Sequence, residues 1–152
     1  GNAKISMNGS DEAVFLDTNI LAYAFGKVQS PRKKAARDLV ARLMPEQALR
    51  ISTQVLQELF VTLTRKAPQP CPVREAIAQL EELSTWPLFS VDYEAVHEAA
   101  VLSRDAVISF WDALIVVAAS RSGARTLYTE DLNHGQEILG VRVVNPFHGL
   151  TA

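Results

Sequence analysis

The chain has 152 residues, of which 48% are hydrophobic and 21% are charged, as is usual for a globular protein with one sizeable core. A formal net charge of −2 excludes nucleic-acid binding through overall positive charge, so an RNA or DNA partner would need a local basic patch or a metal ion. The lone Cys71 excludes an internal disulfide and suits a reducing cytoplasm, and no apolar run reaches the length of a membrane span.

The elements alternate between apolar runs, which predict buried strands, and amphipathic segments, which predict helices. Before them, the polar residues 1–13 predict a flexible lead-in to a single domain over 14–148. Caps favour several of the helix starts; Thr18 or Asn19 can cap the first helix, and Ser30 precedes Pro31 in the second. In chain order the predicted elements are a strand at 13–17, helices at 18–25 and 30–44, a strand at 48–52, helices at 53–65 and 73–83, a strand at 87–91, helices at 93–104 and 109–123, a strand at 125–129, a short helix or turn at 130–139, and a strand at 141–147.

This alternation predicts an α/β domain with a mostly parallel sheet of about five strands. In such sheets ligands bind outside the carboxyl ends of the strands, near the point where the strand order reverses. The residues that directly follow each strand are therefore the first candidates for a functional site.

Four acids occupy such positions, and each alone also has a structural interpretation. Asp17 ends the first strand and could be a simple junction residue, while Glu58 lies in the helix after the second strand and could face solvent. Asp112, in the helix after the third strand, matches a capping box with Ser109 as the capping residue. Asp131 follows the fourth strand beside Glu130, and either acid could be a solvated turn residue.

Together the four acids indicate a cation site. Carboxylates that converge in one pocket raise one another's pKa, so one of them would take up a proton unless a cation neutralised the cluster. Oxygen ligands with few His or Cys residues favour Mg²⁺ or Mn²⁺ over zinc. Such sites commonly serve phosphoryl transfer or phosphodiester hydrolysis.

Several segments resemble the motifs of the PIN-domain ribonucleases, and most closely those of the VapC-type toxins of toxin–antitoxin pairs. The stretch VFLDTNILAYAF resembles the opening motif, a strand that ends in Asp-Thr-Asn, and ISTQVLQELFVTLTR resembles the motif that carries the Glu. The stretch ISFWDALIVVAASRSGARTLYTEDLNHG is similar to the third and fourth motifs. The resemblance extends from about Val14 to Phe147, and it implies a PIN-like three-layer α/β/α fold.

The resemblance also implies a function. It implies hydrolysis of RNA phosphodiester bonds at one or two Mg²⁺ or Mn²⁺ ions, which are bound by Asp17, Glu58, Asp112 and Asp131. It implies supporting hydrogen bonds from Asn19, Ser109 and Thr129, and Thr-x-Asp in the fourth motif favours Asp131 over Glu130. It further implies a homodimer and a cognate antitoxin that covers the active-site groove.

The remaining assignments concern substrate contacts and rival functions. Trp111 is predicted to pack in the core, with base stacking as its alternative, and no catalytic role is assigned to the three histidines. A phosphatase of the haloacid dehalogenase type would need Asp-x-Asp, but position 19 is Asn, and the other rival is a catalytically inactive PIN scaffold. Candidate contacts to RNA phosphates, which could equally be solvated surface charges, are Arg32, Lys33, Lys34, Arg37, Arg104 and Arg121.

Overall fold

The computed structural model describes residues 13–46 and 48–150, and six α-helices and six β-strands lie in that part of the chain. The strands are β1 (Val14–Leu16), β2 (Leu49–Ser52), β3 (Leu88–Phe89), β4 (Thr126–Tyr128), β5 (Glu137–Ile138) and β6 (Val141–Val144). The helices are α1 (Thr18–Phe25), α2 (Pro31–Leu43), α3 (Thr53–Val61), α4 (Val73–Leu83), α5 (Tyr93–Ala106) and α6 (Phe110–Arg121). A 3₁₀ turn (Met44–Glu46) follows α2, and a π-helical segment (Thr62–Lys66) continues α3.

The lead-in predicted for 1–13 lies outside the described residues except at Ala13. Ala13 is buried, and its carbonyl accepts a hydrogen bond of 3.1 Å from the backbone N–H of Arg125. This residue is therefore part of the folded domain.

The strand order β3-β2-β1-β4-β6-β5 gives a sheet in which every pair is parallel except β5 and β6. The prediction of an α/β fold with a mostly parallel sheet is confirmed, but the sheet has six strands. The additional strand, β5, lies in the segment predicted as a helix or turn. A two-residue loop, Leu139 and Gly140, joins it to β6, and both residues have positive φ as in a type I′ hairpin. The sequence carries no Asn-Gly hairpin pattern at this turn, and leucine is uncommon in that conformation. The hairpin was therefore not predicted.

The order of the strands reverses at β1, and this reversal positions the candidate site. The chain moves outward from β1 through β2 to β3, and then returns to the other side of β1 as β4. Because parallel crossovers are right-handed, helices α1 to α4 lie on one face of the sheet and α5 and α6 on the other. The crevice between the carboxyl ends of β1 and β4 is thus the place where such a sheet binds ligands.

A buried core on both sides of the sheet fixes these strand ends. Phe15 and Leu16 of β1 are fully buried, and α6 is buried along its whole middle section, from Ala113 to Ala119. A second, smaller cluster joins α5 to α6 through Ala95, Ala99, Ala113, Leu114 and Val117. None of the helices in the described part of the chain is long and apolar enough to cross a bilayer.

Two details of the helices differ from the sequence prediction. Asp17, rather than Thr18 or Asn19, caps α1, since its side chain accepts the Thr18 backbone N–H. The helix predicted over 53–65 changes to π-helical hydrogen bonding at Thr62, where the bond from the Ala67 N–H to the Thr62 carbonyl measures 2.8 Å. The caps predicted at Ser30 and Ser109 are confirmed.

Candidate active site

The predicted acids gather around one cavity at the carboxyl ends of β1, β2 and β4. The cavity has a volume of about 920 Å³, and Asp17, Glu58 and Asp131 lie in its wall. Asp112 directly follows the wall residue Trp111 at the start of α6. The four acids lie at the end of β1, in α3, in the first turn of α6 and in the loop between β4 and β5, so only the folded sheet brings them together.

Asp17 is buried, and hydrogen bonds fix both of its carboxylate oxygens. Oδ1 accepts the Thr18 N–H at 2.6 Å, and Oδ2 accepts the Thr129 hydroxyl at 2.8 Å. Burial raises the pKa of Asp17 from 3.8 to about 7; the two hydrogen bonds oppose the rise, and the charges of Asp131 and Glu58 add to it. The hydrogen bonds therefore fix the orientation of the carboxylate, but burial disfavours its ionised form unless a cation is nearby.

The amide of Asn19 connects Asp17 to Asp131. Its Nδ2 lies 3.0 Å from Asp131 Oδ2, 3.4 Å from Thr129 Oγ1 and 3.5 Å from Asp17 Oδ2. Thr129 also accepts the backbone N–H of Asp131 at 3.1 Å. The predicted supporting residues Asn19 and Thr129 thus lie between the first and fourth acids.

Glu58 is held on both of its carboxylate oxygens as well. Oε1 accepts the Thr18 hydroxyl at 2.8 Å, and Oε2 accepts the Gln54 amide at 3.2 Å. The same Gln54 amide nitrogen lies 3.2 Å from the carbonyl oxygen of Trp111. Gln54 is almost fully buried and therefore ties the α3 acid to the first turn of α6.

Asp112 combines the predicted capping interaction with the acidic cluster. Its backbone N–H donates to Ser109 Oγ at 3.0 Å, as the capping-box pattern predicts. Burial raises the pKa of Asp112, the Ser109 hydrogen bond opposes this, and the charges of Asp131 and Glu58 add to the rise. The structural and the functional interpretations of this residue are therefore compatible.

Glu130 and Asp131 have different surroundings. Glu130 accepts the Tyr23 hydroxyl at 3.0 Å and lies 3.4 Å from Nε of Arg32, while Tyr23 packs edge-on against Phe147. Glu130 is thus occupied by a structural network, whereas the Asp131 carboxylate faces Asn19. This arrangement supports Asp131 as the fourth acid.

The donor set suits a hard divalent cation. It consists of carboxylate oxygens, and the buried Asn19 Oδ1 has no hydrogen-bond partner among the described residues. No three Asp, Glu, His or Cys side chains within 13–46 and 48–150 are already arranged around a metal position. Binding of a cation would therefore require the carboxylates to rotate towards it.

The predicted RNA contacts fare unevenly. The prediction that Lys33 contacts RNA phosphates is wrong, because the side chain is only 7% exposed and its ammonium donates to the carbonyls of Ala24 and Gly26. Of the six candidates, all of them in the described part of the chain, only Arg32 lies in the cavity wall. Arg121 pairs with Glu98 at the far end of α6 from Asp112. The exposed candidates Lys34, Arg37 and Arg104 stay predictions.

Sequence reasoning missed several residues of the cavity wall. Gln54, Lys27 and Lys66 were not singled out, although Gln54 lies four residues before Glu58, a spacing that makes helix neighbours. The core position predicted for Trp111 is wrong, because its side chain is 61% exposed and lies in the wall. Nothing in the local sequence distinguishes Lys27 or Lys66 from other surface lysines.

Comparison with known proteins supports the fold and identifies the family. The model of the PIN domain matches residues 14–136. No curated protein sequence matches the chain.

Three solved structures illustrate the similarity. A toxin–antitoxin complex from Klebsiella pneumoniae has a TM-score of 0.64 at 23% identity over 88% of this chain and 97% of that one. VapBC2 from Rickettsia felis, bound to a DNA fragment from its promoter, has a TM-score of 0.62 at 21% identity over 86% and 96%. VapC20 of Mycobacterium tuberculosis, a sarcin-ricin loop cleaving toxin, has a TM-score of 0.58 at 24% identity over 76% and 87%. At these identities the likeness shows a shared fold, and the family match covers most of the chain. The chain therefore belongs to the PIN-domain family.

Proposed function

We propose that this chain is a cytoplasmic, metal-dependent ribonuclease and the toxin component of a VapBC-type toxin–antitoxin pair. Asp17, Glu58, Asp112 and Asp131 are its catalytic acids, and they hold one or two Mg²⁺ or Mn²⁺ ions. The observation that carries the proposal is the convergence of Asp17, Glu58 and Asp131 on one cavity, next to Asp112, with the Asn19 amide between Asp17 and Asp131.

A bound Mg²⁺ or Mn²⁺ ion supplies an activated water and stabilises the charge that develops on the phosphate and the leaving oxygen. The chain's own residues supply orientation. Thr129 and the Thr18 N–H fix the two oxygens of Asp17, and Thr18 and Gln54 fix those of Glu58. These hydrogen bonds hold the Asp17 and Glu58 side chains in the cavity wall, and the carboxylates turn from there towards a bound cation.

The test is cleavage of labelled RNA by the purified protein in Mn²⁺, in Mg²⁺ and in EDTA. We expect cleavage with either metal and none in EDTA. Asp112→Asn should reduce the rate by at least about a hundredfold, the scale lost when a group that stabilises transition-state charge is removed. Glu81→Gln, which neutralises an exposed acid on α4 outside the cavity wall, is the matched control and should cleave like the unsubstituted protein.

The outcomes separate the remaining alternatives. Cleavage that persists in EDTA or in Asp112→Asn would contradict a metal-dependent mechanism. A protein that neither cleaves RNA nor binds Mg²⁺ or Mn²⁺ by calorimetry would be an inactive PIN scaffold. The haloacid dehalogenase hypothesis has no support once the family is known, and Asn19 is no acid but the amide donor to Asp131.

The proposed partners are a cognate antitoxin, RNA and a second copy of the chain. The likeness to a toxin–antitoxin complex and to VapBC2 supports the antitoxin. Co-expression with the product of a small open reading frame beside the gene should yield a stable complex with reduced ribonuclease activity. Light scattering on the purified chain tests the homodimer, which a monomeric mass at micromolar concentration would refute.

A further inference from the structure

The cavity extends well beyond the acids, along the full length of two helices. Helix α1 contributes Thr18, Asn19, Ala22, Tyr23 and the following Gly26 to its wall, which is one face at helical spacing. Helix α3 and its π-helical continuation contribute a second face, from Gln54 and Glu58 through Val61 and Thr62 to Lys66. The two helices pack against each other, so the cavity is a trough between them.

The trough changes character along its length. Both helices begin at the carboxyl ends of adjacent parallel strands, next to Asp17 and close to Glu58. At their other ends the wall contains Lys27 and Lys66. With a rise of 1.5 Å per residue, the eight residues of α1 alone separate its two ends by about 12 Å. An acidic end is thus separated from a basic end by two helical turns.

Neither lysine is committed to a strong partner. Lys27 lies 3.7 Å from Glu75, and both side chains are about half exposed, so this ion pair contributes little. Lys66 is exposed and makes no ion pair with the described part of the chain. Arg32 differs, because Glu130 pairs with it and the guanidinium lies 5.6 Å from the centre of the Phe147 ring.

The wall near the two lysines is apolar. Val28, Val61 and Pro68 contribute to it, and both valines remain more than a third exposed to solvent. Single-stranded nucleic acid combines charged phosphates with apolar base faces, and proteins bind it through basic grooves with apolar or aromatic surfaces. The π-helical segment that brings Lys66 into the wall is a local irregularity of the kind that frequently occurs at functional sites.

We propose that Lys27 and Lys66 form a second phosphate-binding site for the RNA substrate, at the end of the trough away from the acids. The inference rests on the proposed ribonuclease function and adds direction to it: the strand lies along α1 and α3, with its scissile phosphate at the acids. Each lysine contacts a phosphate of its own, and the phosphate at Lys27 replaces the weak contact from Lys27 to Glu75. The site holds RNA flanking the cleavage point and takes no part in the chemistry.

The test is the salt dependence of RNA affinity. A fluorescein-labelled, 12-nucleotide single-stranded RNA of mixed sequence is titrated by anisotropy with Asp112→Asn protein in Mg²⁺, over a range of salt concentrations. Adding Lys27→Ala and Lys66→Ala together should reduce the slope of log affinity against log salt by about 1.4, at about 0.7 per phosphate contact. If the two proteins have equal affinity at 1 M salt, this slope change makes the double lysine variant bind about 25-fold more weakly than its parent at 0.1 M salt.

Arg65→Ala is the matched control, because Arg65 carries the same charge next to Lys66 but lies outside the wall. It should change the slope and the affinity much less. The proposal is overturned if the double lysine variant binds within about twofold of its parent, or if Arg65→Ala is equally damaging. If the proposal is overturned in this way but the unsubstituted protein still cleaves RNA, only the lysine site is wrong. If the unsubstituted protein neither cleaves nor binds RNA, the proposed function is wrong as well.

Discussion

Replacing Asp17 by Asn should make the metal-free protein more stable at neutral and alkaline pH. The substitution removes a buried negative charge but keeps the shape of the side chain. The new amide oxygen can still accept the Thr18 N–H, and Asn is a good N-cap for α1. The amide nitrogen then faces the Thr129 hydroxyl, which loses its acceptor and must turn to accept instead.

The magnitude follows from the raised pKa. Between 3.8 and about 7 the folded protein keeps a proton on Asp17 that the unfolded chain has released, so stability falls as the pH rises through this window. At 1.36 kcal/mol per pKa unit, the full penalty above that window is about 4 kcal/mol. Rearrangement of the Thr129 hydrogen bond costs Asp17→Asn about 1 kcal/mol at every pH.

The net gain at pH 8 is therefore about 3 kcal/mol, or about 6–12 °C in Tm for a chain of this size. At pH 4 the side chain is protonated in the folded state and only partly ionised in the unfolded chain, so the penalty is below about 1 kcal/mol and the cost of the Thr129 rearrangement outweighs it. The variant should be the less stable protein at pH 4 and the more stable one at pH 8.

The assay is urea or thermal unfolding of both proteins after EDTA treatment, across pH 4 to 8. Asp92→Asn is the matched control, because it changes the helix-capping residue of α5 at an exposed position without removing a buried charge. If the stability difference between Asp17→Asn and wild type does not grow with pH, or has the opposite sign at pH 8, burial of the Asp17 carboxylate is not costly and the reasoning fails.

Other consequences can be measured separately. Mg²⁺ at about 100 times its Kd should stabilise the EDTA-treated wild type by about 2.7 kcal/mol in thermal scans, and Asp131→Asn should lose most of that gain. Asp131→Asn should also abolish RNA cleavage, whereas Glu130→Gln should mainly cost about 1 kcal/mol of stability; equal loss of cleavage in both would contradict the assignment. Gln54→Leu leaves two partly buried acceptors, Glu58 Oε2 and the Trp111 carbonyl, without this donor and should cost about 1 kcal/mol or more in urea unfolding, with slower RNA cleavage. The exposed Gln57→Leu should cost less than about 0.5 kcal/mol, and a similar loss in both Gln variants would refute a special role for Gln54.

Much of the fold could be predicted because its determinants are local. Apolar runs and amphipathic stripes predicted most elements to within a few residues, and the caps Ser30 and Ser109 came directly from residue type and position. The strand β5 was missed because its hairpin turns on Leu139, a residue that seldom adopts positive φ. The π-helical end of α3 has no composition of its own, so periodicity alone could not predict it.

The sequence by itself determined which acids follow the strands, and hence which chemistry the chain can support. Strand and helix order is local information, and Asp-Thr-Asn after a buried strand already places Asp17 at the edge of the sheet where ligands bind. The local Thr-x-Asp pattern already favoured Asp131 over Glu130, but the surroundings that distinguish the two acids come from Asn19, Tyr23 and Arg32 in distant parts of the chain.

Only the tertiary structure decided which charges face the cavity. Lys33 and Lys66 look alike in the sequence, yet one ammonium is buried against two carbonyls and the other lies in the cavity wall. Trp111, which was predicted to pack in the core, likewise lies in the cavity wall. The physical reason is that a long side chain goes where packing between separate elements leaves space, and that space exists only once α1, α3 and α6 meet at the sheet edge.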